Sequence, residues 1–272
     1  MSMIVVKKLT RDYGNDKGVF DVSFSIEQGE AFGFLGPNGA GKTTVIRHLM
    51  GFLKPQTGAC EIENLDCWDK RDQVQKKIGY VPGETSFFED MSGTDFLRFI
   101  EQYRSIAKKS RQQELLKRFE LNPNMKIKKM SKGTKQKLAI VAAFMHDPQV
   151  LILDEPTSGL DPLMQNKFVD LIKEEKKRGK TIILSSHIFE EVERTCDRIG
   201  MIRHGRMVTV DTVESLRKQH LRSYSVNLQT EQLAKDFAKD FDGIQDGLCV
   251  TVSAKLNLED IFMSYYGGDK DD

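Results

Sequence analysis

The chain has 272 residues, of which 39% are hydrophobic, enough to bury the core of one large domain or two. Its 41 lysines and arginines nearly balance 40 acids, so the net charge of +1 gives no reason to expect nucleic acid or anionic lipid as the main partner. The longest apolar runs fall far short of the roughly 20 residues of a membrane-spanning helix, and no secretory signal pattern opens the chain, which predicts a cytoplasmic protein.

The first predicted elements are two strands and a helix. Apolar and polar residues alternate from Val22 to Ile26, the pattern of a half-buried strand. A dense apolar run from Ala31 to Leu35 then ends at a glycine-rich segment, which predicts a buried strand that stops in a loop. From Thr43 onward the apolar residues recur at helical spacing, so we expect a helix directly after the loop.

The rest of the chain predicts three parts. Charged residues and helical spacing dominate about residues 71–135, which we expect to form an inserted helical subdomain. Strand-like runs return at Val150–Leu153 and Thr181–Ser185, and strands alternating with helices predict a parallel α/β sheet within a domain of residues 1–219. Residues 220–272 form a predicted C-terminal extension. Its expected elements are, in order, strand 223–228, helix 233–237, strand 248–252 and helix 258–266.

The glycine-rich segment from residue 36 to 43 fits the pattern G-x-x-x-x-G-K-[ST]. Glycines let backbone N–H groups turn inward around phosphate oxygens, Lys42 reaches the β- and γ-phosphates, and Thr43 offers its hydroxyl to Mg²⁺. A chance glycine turn is the alternative, but a buried strand before the motif and a helix after it favour a phosphate-binding loop, or P-loop. Its residues are Gly36, Pro37, Asn38, Gly39, Ala40, Gly41, Lys42 and Thr43.

A second chemical signal follows the apolar strand at Val150–Leu153. The acids Asp154 and Glu155 end this strand, at the sheet edge where ligands of such folds bind. We expect Asp154 to hold Mg²⁺, through water, and Glu155 to polarise the attacking water. A solvated acidic pair is the alternative, and the P-loop in the same chain favours the catalytic interpretation.

The segments Gly36–Thr44 and Leu153–Pro162 together resemble the nucleotide-binding subunits of ABC transporters, and the resemblance covers about residues 1–215. It implies an α/β P-loop NTPase fold with a mixed or parallel sheet core, an antiparallel β subdomain, an inserted helical subdomain and a small α+β C-terminal extension. It also implies ATP and Mg²⁺ as cofactors, with Thr44 joining the P-loop at the nucleotide.

The same resemblance implies roles for residues outside the two motifs. Ser131 and Gly133 lie in the signature motif and would contact the ATP of a partner chain. Ser158–Asp161 is similar to the D-loop, His187 to the switch histidine, and Tyr13 to the aromatic residue that stacks on adenine. Tyr13 as a simple hairpin aromatic and His187 as an ordinary polar residue are the alternatives.

Two departures from the family pattern stand out. Gly83, followed by Glu84, occupies the place of the Q-loop glutamine, so the usual amide ligand for metal and water is missing. The signature motif has Met130, Lys132 and Thr134 where leucine, glycine and glutamine are usual. Pro-Gly-Glu in the Q-loop with Ser-Lys-Gly in the signature resembles ABC-2-type exporters, which act on drugs, peptides and bacteriocins.

These observations predict an ATP-hydrolysing subunit that energises export through separate membrane permease subunits, on the inner face of the cell membrane. One P-loop and one signature per chain imply a head-to-tail dimer, as a homodimer or with a second ABC ATPase, and no nucleic acid partner. A soluble ABC-type ATPase of translation or DNA repair is an alternative, as is a non-hydrolysing nucleotide-binding regulator. The single P-loop of the chain disfavours a soluble ATPase of translation or DNA repair. The intact Glu155 and His187 disfavour a non-hydrolysing regulator. The transported substrate is not encoded in these motifs.

Overall fold

The computed structural model describes residues 2–106, 110–220, 222–254 and 256–266. Contacts within the chain divide it into two units, residues 1–210 and residues 211–272. The boundary predicted from the sequence, at residue 220, lies just after a helix that ends at Gln219. That helix packs on the last helix of the chain and so belongs to the second unit. The functional division of the chain remains a prediction.

Strands and helices follow one another along both units. The strands run β1 (Ser2–Asp12), β2 (Gly18–Glu27), β3 (Ala31–Leu35), β4 (Thr57–Ile62), β5 (Leu65–Asp66), β6 (Ile78–Val81), β7 (Val150–Asp154), β8 (Thr181–Ser186), β9 (Arg198–Arg203), β10 (Arg206–Thr212), β11 (Arg222–Asn227), β12 (Ile244–Asp246) and β13 (Cys249–Ala254). The helices run α1 (Lys42–Leu49), α2 (Arg71–Lys77), α3 (Gly93–Tyr103), α4 (Ser110–Arg118), α5 (Lys132–Phe144), α6 (Pro162–Lys177), α7 (Phe189–Thr195), α8 (Val213–Gln219), α9 (Glu231–Asp240) and α10 (Leu258–Tyr266).

The central sheet of the first unit has the strand order β10-β9-β3-β8-β7-β6. Its strands from β9 through β6 pair in parallel, as the alternation of strands and helices predicted. Every residue of β3, β7 and β8 is buried, which explains why these strands read in the sequence as short continuous apolar runs. The carboxyl ends of β3, β7 and β8, which carry the predicted motifs, therefore lie at one edge of the sheet.

An antiparallel sheet with the order β2-β1-β4-β5 packs in the same unit. β2 confirms the alternation seen from Val22 to Ile26. β1 was not predicted, because the pairing of β1 with β2 shifts register between Val6 and Leu9, where Lys8 adopts a positive φ of 46°. This irregularity breaks the two-residue period that a strand prediction depends on.

The segment from residue 71 to 135 is not helical throughout. Helices α2, α3 and α4 occupy much of it, but β6 lies inside it and pairs in parallel with β7 at the end of the central sheet. A Cβ on Gly79 of β6 would lie 2.2 Å from the backbone oxygen of Ala143 in α5, so glycine allows α5 to cross the strand closely. The Ser131 hydroxyl begins α5 by accepting a hydrogen bond from the Thr134 N–H at 3.2 Å.

The second unit contains a sheet with the order β11-β13-β12, with α9 packed against β13 and α10 packed against α8. The predicted strands and helices at residues 223–228, 233–237, 248–252 and 258–266 all have counterparts in it. β12 was not predicted, since all three of its residues are exposed and carry no burial pattern. None of the helices in the described ranges is both long enough and apolar enough to cross a membrane.

Candidate active site

Three strand ends of the central sheet bring the predicted motifs together. The P-loop follows β3, Asp154 ends β7, and His187 follows β8. Leu35 pairs with Ser186, and Asp154 pairs with Ser185, so these ends lie at the same level. Because parallel strands share one carboxyl edge, residues far apart in the sequence meet there.

Two glycines allow the P-loop to fold tightly. A Cβ at Gly36 would lie 2.5 Å from the backbone oxygen of Ile202, and one at Gly41 would lie 2.7 Å from Val19 Cγ1. Gly41 also has a φ of +109°, which side chains on L-residues rarely adopt. A Cβ at Gly39, by contrast, would meet nothing within 4 Å. The loop backbone is therefore fixed against the sheet at both ends and open at its middle.

Lys42 is folded back onto this loop. Its Nζ donates to the backbone oxygen of Gly36 at 2.6 Å and to that of Pro37 at 3.3 Å, and the residue is only 6% exposed. Burial lowers the Lys42 pKa, although the nearby carboxylates of Glu155 and Asp154 favour the charged form. The charge of the buried Lys42 ammonium is only partly compensated, so an additional anion beside it would stabilise it. A phosphate group is the anion that fits the geometry of the loop.

Asp154 is held between two hydroxyl groups. Thr43 Oγ1 donates to Asp154 Oδ2 at 3.0 Å, and Ser185 Oγ donates to Asp154 Oδ1. These oxygen donors fit Mg²⁺, which is commonly bound by one or two carboxylates together with phosphate and water oxygens. Within the described ranges there is no group of three or more His, Cys, Asp or Glu side chains that could hold a metal. Thr43 and Asp154 would thus share the ion with nucleotide and water.

Glu155 has an unusual backbone. Its φ of 47° lies in the left-handed region, which costs a non-glycine residue about 1–2 kcal/mol. The Glu155 N–H compensates by donating to the backbone oxygen of Ser185 at 3.0 Å and to the Ser185 hydroxyl at 3.2 Å. This conformation turns the Glu155 carboxylate toward the P-loop side, where Glu155 Oε1 lies 3.8 Å from Lys42 Nζ.

Glu155 and His187 are in direct contact. His187 Nδ1 is hydrogen-bonded to Glu155 Oε2, and the His187 side chain is otherwise largely exposed. The other oxygen, Glu155 Oε1, is buried and has no hydrogen-bond partner among the described residues. One oxygen of this carboxylate is therefore anchored by His187, and the other lies near Lys42 with its hydrogen-bonding capacity unused.

A cavity of about 690 Å³ lies in front of these groups. Its lining residues come from the P-loop and α1, from β6 and the segment after it, from the start of α5, from the end of β7 and the residues directly after β7 and β8, and from the D-loop. They are Asn38, Thr43, Arg47, Tyr80, Pro82, Gly83, Glu84, Lys132, Asp154, Glu155, Ser158 and His187. A larger cavity, of about 1260 Å³, lies elsewhere in the unit and is lined by none of the predicted site residues.

Three predicted site residues outside the P-loop segment 36–44 do not line the cavity. Tyr13 lies in the turn between β1 and β2, half-exposed, with the Arg11 guanidinium carbon 5.5 Å from its ring centroid. Ser131 and Gly133 lie at the start of α5, and a Cβ at Gly133 would come within 2.6 Å of the backbone oxygen of Gly159. Stacking of Tyr13 on adenine, and contact of Ser131 and Gly133 with a partner's ATP, stay predictions.

The structure adds two basic residues that sequence reasoning did not assign to the site. Lys132 lines the cavity, and its side chain would contact a Cβ at Gly159 of the D-loop at 3.2 Å. Arg47 lines the cavity from α1. The place of Lys132 inside the signature motif set it apart from the neighbouring lysines in the sequence. Arg47 gave no signal, because basic residues near a helix end are common.

Gly83 lies beside the predicted metal ligand. A Cβ there would be 3.5 Å from both Cγ and Oδ2 of Asp154, an ordinary contact distance. The position of the family's glutamine is thus adjacent to Asp154, as the resemblance implies, but glycine supplies no side-chain oxygen. Glu84, the next residue, is exposed and forms part of the cavity wall.

Comparison with known proteins decides the family. The family model described as ABC transporter matches residues 19–158. The chain belongs to the ABC transporter family. It is 38% identical over 217 residues to the ABC transporter ATP-binding protein NatA of Bacillus subtilis (strain 168), covering 78% of this chain and 88% of NatA.

Two further comparisons extend this result. The chain is 33% identical over 256 residues to the bacitracin transport ATP-binding protein BcrA of Bacillus licheniformis, covering 91% of this chain and 84% of BcrA. Its fold is similar to the dimeric structure of MJ0796, a bacterial ABC transporter cassette, with a TM-score of 0.70 and 26% identity over 78% of this chain and 99% of that one. The predicted P-loop ABC ATPase fold is confirmed, and the chain is an ATPase of the ABC transporter type.

Proposed function

We propose that this chain energises the export of a drug, a peptide or another substrate through separate membrane permease subunits. The observation that carries the proposal is the convergence of the P-loop, Asp154 and the Glu155–His187 pair on one cavity. The exporter assignment is supported by similarity to BcrA, whose match extends to 91% of this chain, and by the Pro-Gly-Glu and Ser-Lys-Gly sequences.

The geometry supports a specific division of labour in hydrolysis. The P-loop N–H groups and Lys42 would bind the phosphates, and His187 would hold one oxygen of Glu155 while the other accepts a proton from the attacking water. Mg²⁺, held by Thr43 and Asp154, would supply positive charge beside the transferred phosphoryl group.

The signature residues support a head-to-tail dimer. Ser131 is exposed at the N-terminus of α5, where unpaired N–H groups and the helix dipole favour an anion. Neither Ser131 nor Gly133 lines the cavity of its own chain. A second chain turned head to tail would place these groups against its neighbour's nucleotide, and the similar MJ0796 structure is described as dimeric. A heterodimer with a different ABC ATPase would satisfy the same geometry.

An exposed aromatic cluster supports the membrane-subunit proposal. Phe88 packs edge-on against Phe99, and Phe99 stacks on Tyr103, yet all three rings remain substantially exposed. The cluster lies on α3 and on the segment before it, which continues from Glu84. Exposed apolar groups that touch one another are typical of interaction surfaces. In the resembled family the Q-loop segment contacts the membrane subunit, so we assign the cluster to that contact and place the subunit at the inner face of the cell membrane.

Co-purification tests the transport proposal. The full chain would be expressed together with a membrane protein of about six hydrophobic spans encoded in a neighbouring reading frame, and extracted in detergent. We expect the two to purify together and Tyr103→Asp to abolish this while leaving ATPase activity of the isolated chain unchanged. Tyr224→Asp, which alters an exposed ring of the second unit, serves as the control. Recovery with ribosomes or DNA instead of a membrane protein would favour the soluble alternative.

A further inference from the structure

A buried carboxylate lies behind the active site, on α7. Glu191 is only 5% exposed. Its Oε2 accepts hydrogen bonds from Ser186 Oγ at 2.8 Å and from Thr157 Oγ1 at 3.2 Å. Thr157 follows Glu155 by two residues, and Ser186 directly precedes His187. One oxygen atom therefore joins the two segments that carry the Glu155–His187 pair.

Both segments depend on such support. Glu155 adopts a left-handed backbone conformation, which persists only where the surroundings hold it. On the other segment, the Ser186 hydroxyl also accepts from the Ile188 N–H at 3.0 Å and so fixes the turn that carries His187. Thr157 and Ser186 are almost fully buried, so water does not compete for their hydroxyl groups.

We propose that Glu191 is a positioning residue for ATP hydrolysis, which sets Glu155 and His187 against each other through Thr157 and Ser186. The proposal rests on the roles assigned above to Glu155 and His187. Glu191 touches neither of those side chains by hydrogen bond and does not line the nucleotide cavity. Its hydrogen bonds reach the two catalytic segments through the two hydroxyl groups.

The bonding pattern shows which property of Glu191 matters. Oε2 makes both bonds, while Oε1 is buried without a hydrogen-bond partner among the described residues. A proton on Oε1 would leave both bonds intact. A small cavity of about 150 Å³ lies beside Glu191 and is lined by Thr157, Glu191 and Arg194 among others. An acceptor at Oε2 is therefore required, and a negative charge is not.

Burial supports this view by raising the Glu191 pKa to about 7. The hydrogen bonds from Ser186 and Thr157 act against burial by favouring the carboxylate, Glu155 raises the pKa further, and His187 lowers it. On α7 itself, Glu190 and Arg194 line the same small cavity and form an ion pair with an N–O distance of 3.6 Å. The Cys196 thiol, whose own pKa is raised by burial, follows α7. A glutamine at position 191, with its amide oxygen in the place of Oε2, would accept the same two hydrogen bonds as the protonated acid.

Steady-state ATPase kinetics of the full chain test the proposal. We expect Glu191→Ala to lower kcat about 10- to 100-fold, because small displacements of catalytic groups have effects of that size. KM for ATP should stay within about twofold, since the P-loop is not touched. Glu191→Gln should keep kcat within about threefold of wild type. Glu190→Gln on the same helix, with an exposed side chain, is the matched control and should match wild type.

A double-mutant cycle separates positioning from general destabilisation. Thr157→Val should lower kcat in the wild-type background and have no further effect when Glu191 is already alanine, because both changes remove the same bond. Should Glu191→Ala fail to fold by circular dichroism, Thr157→Val and Ser186→Ala, which leave the carboxylate in place, supply the same test.

Two results would overturn the proposal. One is wild-type kcat in a folded Glu191→Ala or in the Thr157→Val, Ser186→Ala double variant. The other is independent, multiplicative effects of Thr157→Val and Glu191→Ala. The Glu155→Gln variant distinguishes failure of the positioning proposal from failure of the proposed function. If Glu155→Gln hydrolyses ATP normally, the catalytic role assigned to Glu155 fails. If it is inactive while Glu191→Ala is fully active, only the positioning role of Glu191 fails.

Discussion

Replacing Glu191 by glutamine removes the ionisation of a buried acid and leaves its size nearly unchanged. Burial raises the pKa of the folded-state carboxyl from 4.5 to about 7, so the folded protein holds this proton more tightly than the unfolded chain does. The free energy of unfolding therefore falls as pH rises from about 4.5 through 7. At about 1.4 kcal/mol per pH unit, ionisation of Glu191 lowers the free energy of unfolding of the wild type by about 3 kcal/mol by pH 8.

Urea unfolding without nucleotide, at pH values from 5 to 8, measures this loss. The Glu191→Gln variant lacks the titration, so its free energy of unfolding relative to wild type should rise by about 2–3 kcal/mol between pH 5 and pH 8. Other titrating groups are common to both proteins and cancel in the difference. Glu190→Gln, which replaces an exposed carboxylate on the same helix, is the control. Parallel pH profiles for wild type and Glu191→Gln would contradict a raised pKa for Glu191, since this carboxyl would then be ionised in both the folded and the unfolded state.

Three further predictions concern the cavity. Lys42→Ala should raise the ATP dissociation constant at least about tenfold, because charge-assisted hydrogen bonds contribute about 1.5–3 kcal/mol each. Lys177→Ala, at an exposed lysine, should leave this constant unchanged, and nucleotide titration measures both variants. Gly36→Ala should lower the unfolding free energy by at least about 1 kcal/mol in a urea titration, since its Cβ would lie 2.5 Å from the Ile202 oxygen. Glu84→Ala should lower permease-stimulated hydrolysis more than basal hydrolysis, and equal losses in both assays would contradict its assignment to coupling.

The centre of the fold follows from the sequence because its signals are local. β3, β7 and β8 are buried on both faces, so each appears as an uninterrupted apolar run, and a glycine loop or an acid marks where the run ends. The parallel sheet then places the P-loop beside Asp154 and Glu155 without further information. β6 escaped notice because it is short and lies among charged helical segments.

The role proposed for Glu191 has no such local signal. Glu190, Glu191 and Glu193 lie in one short acidic stretch of α7, and such a stretch most often forms a solvated helix face. Only the packing of α7 against the ends of β7 and β8 buries one of the three and brings it to Thr157 and Ser186. Lys132 is similar, since its place in the cavity depends on where α5 begins relative to the D-loop.

We expect ATP to join two chains through composite sites, and light scattering of the Glu155→Gln variant tests this expectation. This variant keeps the shape of the site and loses the proton acceptor, so bound ATP should persist and hold the dimer together. With ATP and Mg²⁺ at micromolar protein, we expect a mass of twice the 31.0 kDa chain, and the monomer mass without nucleotide or when Lys42→Ala is added. A monomer that persists with saturating ATP would contradict the homodimer. Composite sites would then be supported only if adding a second ABC ATPase chain produced a dimer.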